Sequence, residues 1–176
     1  MPNNRPSCAV PAQILVFVSL IFIGAPGWSQ VTGDEAELSR LQIKAEEAIS
    51  NDDPDGAALN MGRAALLAKH LGKKYREQAA VASLYQGAEP LFRSQEHGYR
   101  AMALFRRAGG QLPASSGVCG SLALAQASAQ QALSLLGPVP DEQLSAPLKE
   151  QVGRLRQTAD DWTVAVASMI AEYQCP

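Results

Sequence analysis

The sequence predicts an all-α protein, and three observations support that fold class. Aromatic residues make up only 6% of the 176 residues, whereas β-sandwiches need many aromatic and β-branched side chains. Hydrophobic residues reach 47%, which is enough to bury a core and excludes a wholly disordered chain. Apolar positions after residue 33 recur at helical spacing. We therefore expect a single helical domain over residues 30–176.

The charge balance excludes a general nucleic-acid binder. The chain carries 15 Lys and Arg against 17 Asp and Glu, a formal net charge of -2, with no polycationic tail. A protein that binds the phosphate backbone needs an excess of basic residues. We therefore expect no nucleic-acid partner.

The first thirty residues have the pattern of a secretory signal peptide. Arg5 precedes an apolar run over residues 14–23, and small and turn-forming residues follow at 24–27. The apolar run is shorter than the ~20 residues that a membrane-spanning helix needs, although a retained anchor stays an alternative. We expect a signal peptide over residues 1–29 with cleavage near Ser29. The protein would then be exported to the periplasm or the extracellular space, with no stable membrane insertion.

The cysteines predict one disulfide. Cys8 would be lost with the signal peptide, which leaves Cys119 and Cys175 as an even pair in an exported chain. Their spacing matches neither CxxC nor CxxCH, so it supports no redox motif and no haem attachment.

The N-terminal half predicts four helices separated by turn residues. The first covers about residues 34–50, and the second covers 54–72 with Asp53 as its N-cap. A third starts at about residue 74, and a fourth spans about 98–108.

The C-terminal half predicts a long antiparallel helical hairpin over residues 118–175. Two apolar stripes at alternating spacings of four and three indicate two helices packed side by side. Three prolines in the linker 137–147 favour a reversal of the chain. For the disulfide to form, the second helix must extend past the first by about 14 Å. The stripes are Val118, Leu122, Ala125, Ala129, Ala132 and Leu136, then Leu148, Val152, Leu155, Ala159, Trp162, Val166, Met169 and Tyr173.

Residues 82–113 carry large and small side chains in a recurrent order. The large ones are Tyr85, Phe92 and Phe105, the close-contact site is Ala101, and Ala108 and Pro113 follow. This order resembles a tetratricopeptide repeat, a pair of antiparallel helices. Ala88 and Glu89 stand where the family has Leu-Gly, and Pro90 lies inside the first helix.

Residues 38–69 resemble a fainter copy of the same repeat, although Lys44 and Lys69 depart from it. The resemblance over residues 38–113 implies irregular helical hairpins, and a plain helical bundle stays the alternative. The positions that fit in the fainter copy are Leu41, Ala45, Ala48, Ala57, Met61 and Ala64.

The resemblance also implies a function. In that family the first helix of each repeat lines a concave groove that holds a partner peptide. By that likeness the partner groove would be lined by Ser39, Gln42, Glu46, Gln86 and Arg93. None of these reproduces the Lys/Asn/Arg clamp that some family members use for C-terminal carboxylates.

Acidic and basic residues fall in separate blocks. Residues 31–62 hold eight acids and two bases, and residues 63–107 hold nine bases and three acids. Two interpretations stay open: the basic block pairs with the protein's own acidic helix, which we favour, or it faces an anionic partner.

The sequence contains no catalytic or cofactor-binding pattern. Residues 51–56 match the first half of a calcium loop, but Gly62 stands where the bidentate Glu belongs. Neither His70 nor His97 has a second ligand at helical spacing, and no GxSxG is present. We expect no catalytic residue, no metal and no cofactor.

The sequence therefore predicts an exported, non-enzymatic module that binds an unknown protein or peptide in the cell envelope. One alternative is a periplasmic helical-bundle chaperone or stress protein with an exposed apolar groove. Another is a small-ligand-binding or enzymatic domain, which would bring Arg93, Glu96, His97 and Arg100 together in a pocket.

Overall fold

Five α-helices confirm the all-α fold class. The structure, a computed structural model, describes residues 33–137 and 144–176, which all belong to one compact unit. The predicted signal peptide and most of the predicted linker lie outside the described residues. The helices are α1 (Gly33–Ser50), α2 (Pro54–Lys74), α3 (Ala79–Arg107), α4 (Ser116–Leu136) and α5 (Ala146–Glu172). None of these helices combines the length and apolar character needed to cross a bilayer.

The start of α2 follows the predicted capping pattern. An Asp53 carboxylate oxygen accepts a hydrogen bond of 2.8 Å from the backbone N–H of Gly56. Pro54 occupies the first turn, where a missing N–H costs no intrahelical hydrogen bond. The first two predicted helices therefore agree with α1 and α2 to within two residues at each end.

The predicted boundary between a third and a fourth helix is wrong. Residues 79–107 form a single helix of 29 residues that runs through both Pro90 and Gly98. Packing explains the difference, because α3 lies between α2 and α4 and buries residues along most of its length. Tertiary contacts of this kind override local helix-breaking signals.

The repeat-like residues 82–113 consequently do not form two antiparallel helices. Tyr85, Phe92, Ala101 and Phe105 all lie along α3. The fainter copy differs in this respect, because α1 and α2 form a helical hairpin joined at residues 51–53.

Three interlocked core clusters hold the helices together. The first cluster joins α1, α2 and the start of α3, and Val152 of α5 belongs to it. The second joins the ends of α3 and α5 to the start of α4. The third is a small cluster of Leu91, Ala132 and Ala159.

The C-terminal hairpin forms with the predicted disulfide. Cys119 and Cys175 are bonded, with their Cα atoms 5.4 Å apart. The Arg156 side chain donates a hydrogen bond of 2.9 Å to the carbonyl of Leu136, the last residue of α4. The ten residues of α5 before Arg156 therefore extend past α4 by about 15 Å, close to the predicted overhang. This overhang carries Val152 into the first cluster.

Small residues let the neighbouring helices approach α3 closely. A Cβ atom at Gly98 would lie 2.5 Å from the Trp162 ring, and one at Gly87 would lie 2.5 Å from Leu136. Trp162 donates a hydrogen bond of 2.9 Å to the buried Ser94 hydroxyl, which itself donates one of 2.6 Å to the carbonyl of Ala125. These contacts tie α3, α4 and α5 to one another.

We expect Gly98→Ala to lower the free energy of unfolding by about 1–3 kcal/mol, because the added methyl displaces Trp162. Gly153→Ala is the matched control, since a Cβ at this exposed helical position meets nothing. It should raise stability by about 0.5–1 kcal/mol through helix propensity. Urea unfolding of both variants measures the two effects. Equal shifts of the same sign would contradict the packing described for Gly98.

Candidate functional site

One face of α3 is left open between α2 and α4. It forms a depression of about 360 Å³ lined by Lys69, Gln86, Glu89, Pro90, Arg93, Ser128, Gln131 and Leu135. A second depression of about 420 Å³ shares three of these residues and adds Ala68, Gly72, Lys73 and Arg76. We call the two adjoining depressions the α3 groove.

Two of the five predicted partner-groove residues lie in the α3 groove. Gln86 and Arg93 line it, whereas Ser39, Gln42 and Glu46 do not. These last three belong to α1, which packs against α2. Residues 82–107 belong to one helix and not to a hairpin, and no residue of α1 lines the α3 groove.

Pro90 modifies the backbone in the floor of the α3 groove. In an α-helix each carbonyl accepts the N–H four residues later, and Pro90 has no N–H to offer the carbonyl of Gln86. A proline inside a helix lowers the stability of that helix by about 3 kcal/mol, because one hydrogen bond is missing and the ring is crowded. Both residues line the groove, so this break in the helical hydrogen-bond pattern lies beside it.

The basic block makes two different sets of contacts. At the helix ends, Lys74 pairs with Asp34 at 2.8 Å and Arg107 pairs with Asp55 at 2.7 Å. Arg106 also pairs with Asp52. Pairing with the protein's own acidic residues, the interpretation favoured from the sequence, therefore accounts for these three bases.

The bases that line the α3 groove have fewer acidic partners within the described chain. Lys69 lies 3.4 Å from Glu89. Lys73 and Arg76 form no ion pair with any residue that the structure describes. With Arg93, the groove carries four cationic side chains and one carboxylate.

Glu96 lies in a gap that Gly62 leaves open on α2. A Cβ at position 62 would lie 3.0 Å from the carboxyl carbon of Glu96. Arg93 pairs with one oxygen of this buried carboxylate at 2.8 Å, and Arg100 pairs with the other. The Arg-Glu-Arg spacing of three and four predicts such pairs on a helix, but the sequence offers no sign of the partner gap at Gly62.

The predicted alternative pocket of Arg93, Glu96, His97 and Arg100 does not coincide with the α3 groove. Of these four residues only Arg93 lines the groove, and Glu96 lies against Gly62 of α2. In the described part of the chain, no three His, Cys, Asp or Glu residues are grouped so as to hold a metal ion.

His97 is held in a site that disfavours its charged form. Its Nδ1 atom is buried and has no hydrogen-bond partner among residues 33–137 and 144–176. Burial lowers the pKa of His97 below the ordinary value of 6.5, and the charges of Arg100 and Arg93 add to this effect while Glu96 opposes it.

Comparison with family models, with curated proteins and with solved structures finds no match to this chain. The tetratricopeptide resemblance therefore stays a prediction.

We expect Glu96→Gln to lower the free energy of unfolding by about 1–3 kcal/mol, because two arginines lose a buried counter-charge. Glu150→Gln is the matched control. Glu150 pairs with Arg154 at the same helical spacing but is 70% exposed, so its loss should cost less than about 0.5 kcal/mol. Chemical unfolding compares the two, and equal costs would show that Glu96 is not buried as described.

The lowered pKa of His97 makes stability depend on pH. The unfolded chain binds a proton at His97 more readily than the folded chain does. The stability that neutral His97 contributes is therefore fully present above the unfolded pKa, and it is lost as the pH falls through the folded pKa. The free energy of unfolding should therefore fall as the pH decreases from about 7.5 through 6.5 and below, and His97→Gln should flatten this slope. Denaturant titrations at several pH values measure it, and an unchanged slope in the variant would contradict the assignment.

Proposed function

We propose that the protein is an exported, non-enzymatic interaction module of the cell envelope that holds a segment of a partner protein in the α3 groove. The observation that carries this proposal is the open face of α3. Other helices cover the remaining sides of α3, and its open face is a concave surface between α2 and α4.

The lining of the α3 groove fits a peptide chain. Gln86 and Gln131 carry amides that both donate and accept hydrogen bonds, and Ser128 adds a hydroxyl. Pro90 and Leu135 supply apolar contact. A peptide backbone presents alternating donors and acceptors, so this mixture favours a peptide over a purely apolar ligand.

The polar lining also distinguishes between a chaperone and a module that recognises one segment. A chaperone for unfolded chains would be served by a mainly apolar groove, whereas six of the eight residues in the first depression are polar or charged. Specific recognition of one segment is therefore favoured. The disulfide between Cys119 and Cys175 supports an oxidising compartment, in agreement with export.

The experiment places a photo-crosslinking amino acid at Gln86 or at Val164 in the full chain, within the cells that produce the protein. Val164 is the matched control, because it is 71% exposed on α5 and lines neither depression. We expect a discrete adduct from position 86 only, which maps by mass spectrometry to one segment of one partner. The adduct should disappear when Gln131 and Arg93 are changed to Ala.

Adducts of the same proteins at both positions would contradict the proposal, because contact would then not be specific to the α3 groove. The absence of any adduct at position 86 would contradict it as well.

A further inference from the structure

We infer that the α3 groove recognises an acidic protein segment, whose carboxylates bind Arg93 on one side of Glu89 and Lys73 with Arg76 on the other. This inference rests on the proposed function, since it gives the chemistry of the segment that the groove holds. It is carried by the charges, the pairing and the shape of the groove.

Of the three bases in the basic block that form no ion pair with a described residue, Lys73 and Arg76 line the groove and Arg63 does not. Three bases of the basic block pair with Asp34, Asp52 and Asp55 at the helix ends. By contrast, Lys73 and Arg76 line the groove and have no ion-pair partner in the described chain. Unpaired cations in a concave surface between helices raise the local concentration of anionic groups.

Arg93 is held ready for a ligand by the buried Glu96. Its Nη1 atom pairs with Glu96 at 2.8 Å, and its side chain remains 33% exposed at the groove. A guanidinium has five N–H donors in a rigid fork, so one bond to Glu96 leaves donors for a second carboxylate. Fixing the side chain in advance reduces the entropy lost on binding.

The position of Glu89 determines how the charges of the segment are arranged. Arg93 is about 6 Å along α3 from Glu89, and Gln86 is about 10.5 Å from Arg93, at ~1.5 Å per residue. Glu89 lies in both depressions, between Arg93 and the pair Lys73 and Arg76. A uniformly charged polyanion would meet this carboxylate, so a segment with separated acidic residues and a neutral centre fits better.

The shape of the groove favours a peptide over a lipid surface. A planar bilayer reaches exposed rim residues such as Lys73 but does not enter a depression whose floor includes the buried Pro90.

The test measures binding of two fluorescent peptides to the oxidised protein purified from cells that export it. The peptides are identical except that one has glutamate and the other glutamine at every charged position. We expect the glutamate peptide to bind at least about tenfold more tightly and to weaken as salt increases. Lys73→Ala with Arg93→Ala should weaken its binding by about tenfold or more.

The matched control is Lys149→Ala with Arg154→Ala, which removes the same two charges from α5, outside both depressions. It should leave the affinity within about twofold, because its charges are screened from the groove. Far-ultraviolet circular dichroism confirms that both double variants keep their helices. Equal losses in the two double variants would overturn the inference, since only overall charge would then matter.

Other outcomes separate this inference from the proposed function. If both peptides bind equally, or if the segment crosslinked at position 86 is not acidic, the inference fails while the proposed function stands. If neither peptide binds and position 86 gives no adduct, both fail. Inorganic polyphosphate or phosphatidylglycerol vesicles that bind through Lys73 and Arg93 when the glutamate peptide does not would also overturn the inference.

Discussion

The burial of α3 on several sides is the constraint on which the rest of the structure depends. At its centre the Ser94 hydroxyl accepts from Trp162 of α5 and donates to a carbonyl of α4, so one buried side chain joins three helices. An unpaired hydroxyl in this position would be costly, and so the three partners have to be placed together. Gly98 gives Trp162 the space to reach it. The same approach brings the start of α5 to the first core cluster, because the hairpin overhang contributes Val152 there.

This packing also determines which surface remains for a partner. Side chains of α3 toward α2, α4 and α5 are buried, and those around Gln86 and Arg93 remain at the surface between the two flanking helices. Pro90 is compatible with a continuous helix because the packing compensates for its missing hydrogen bond. Of the two helix-interrupting residues of α3, Pro90 therefore lines the open face, whereas Gly98 packs against Trp162. The buried Glu96 connects the interior to this surface, because its carboxylate pairs with the Arg93 side chain at the groove.

The sequence was sufficient for the elements whose signals are local. The cap at Asp53, the stripes of α4 and α5 and the overhang follow from residues close in sequence or from simple length geometry. The disulfide follows from the even pair of cysteines that remains in a chain predicted to be exported. It failed at α3, where Pro90 and Gly98 indicate an interruption that contacts with distant residues prevent. Trp162 is 68 positions from Ser94 and leaves no local sign of this contact. Gln86 and Arg93 were reached through the family resemblance, whereas Lys73, Arg76 and Gln131 join them only once α2 and α4 are placed beside α3.

Amide hydrogen exchange along α3 tests the central claim, that one unbroken helix organises the fold and presents the groove. We expect the slowest exchange of the domain in α3, with protection continuous from Leu91 through Gly98 to Ala103, because opening these amides requires separation of the packed helices. Fast exchange confined to residues 96–100, between two protected segments, would contradict it. The chain would then have two separate helices here, as a repeat hairpin requires, and the open face of α3 would not exist as one surface.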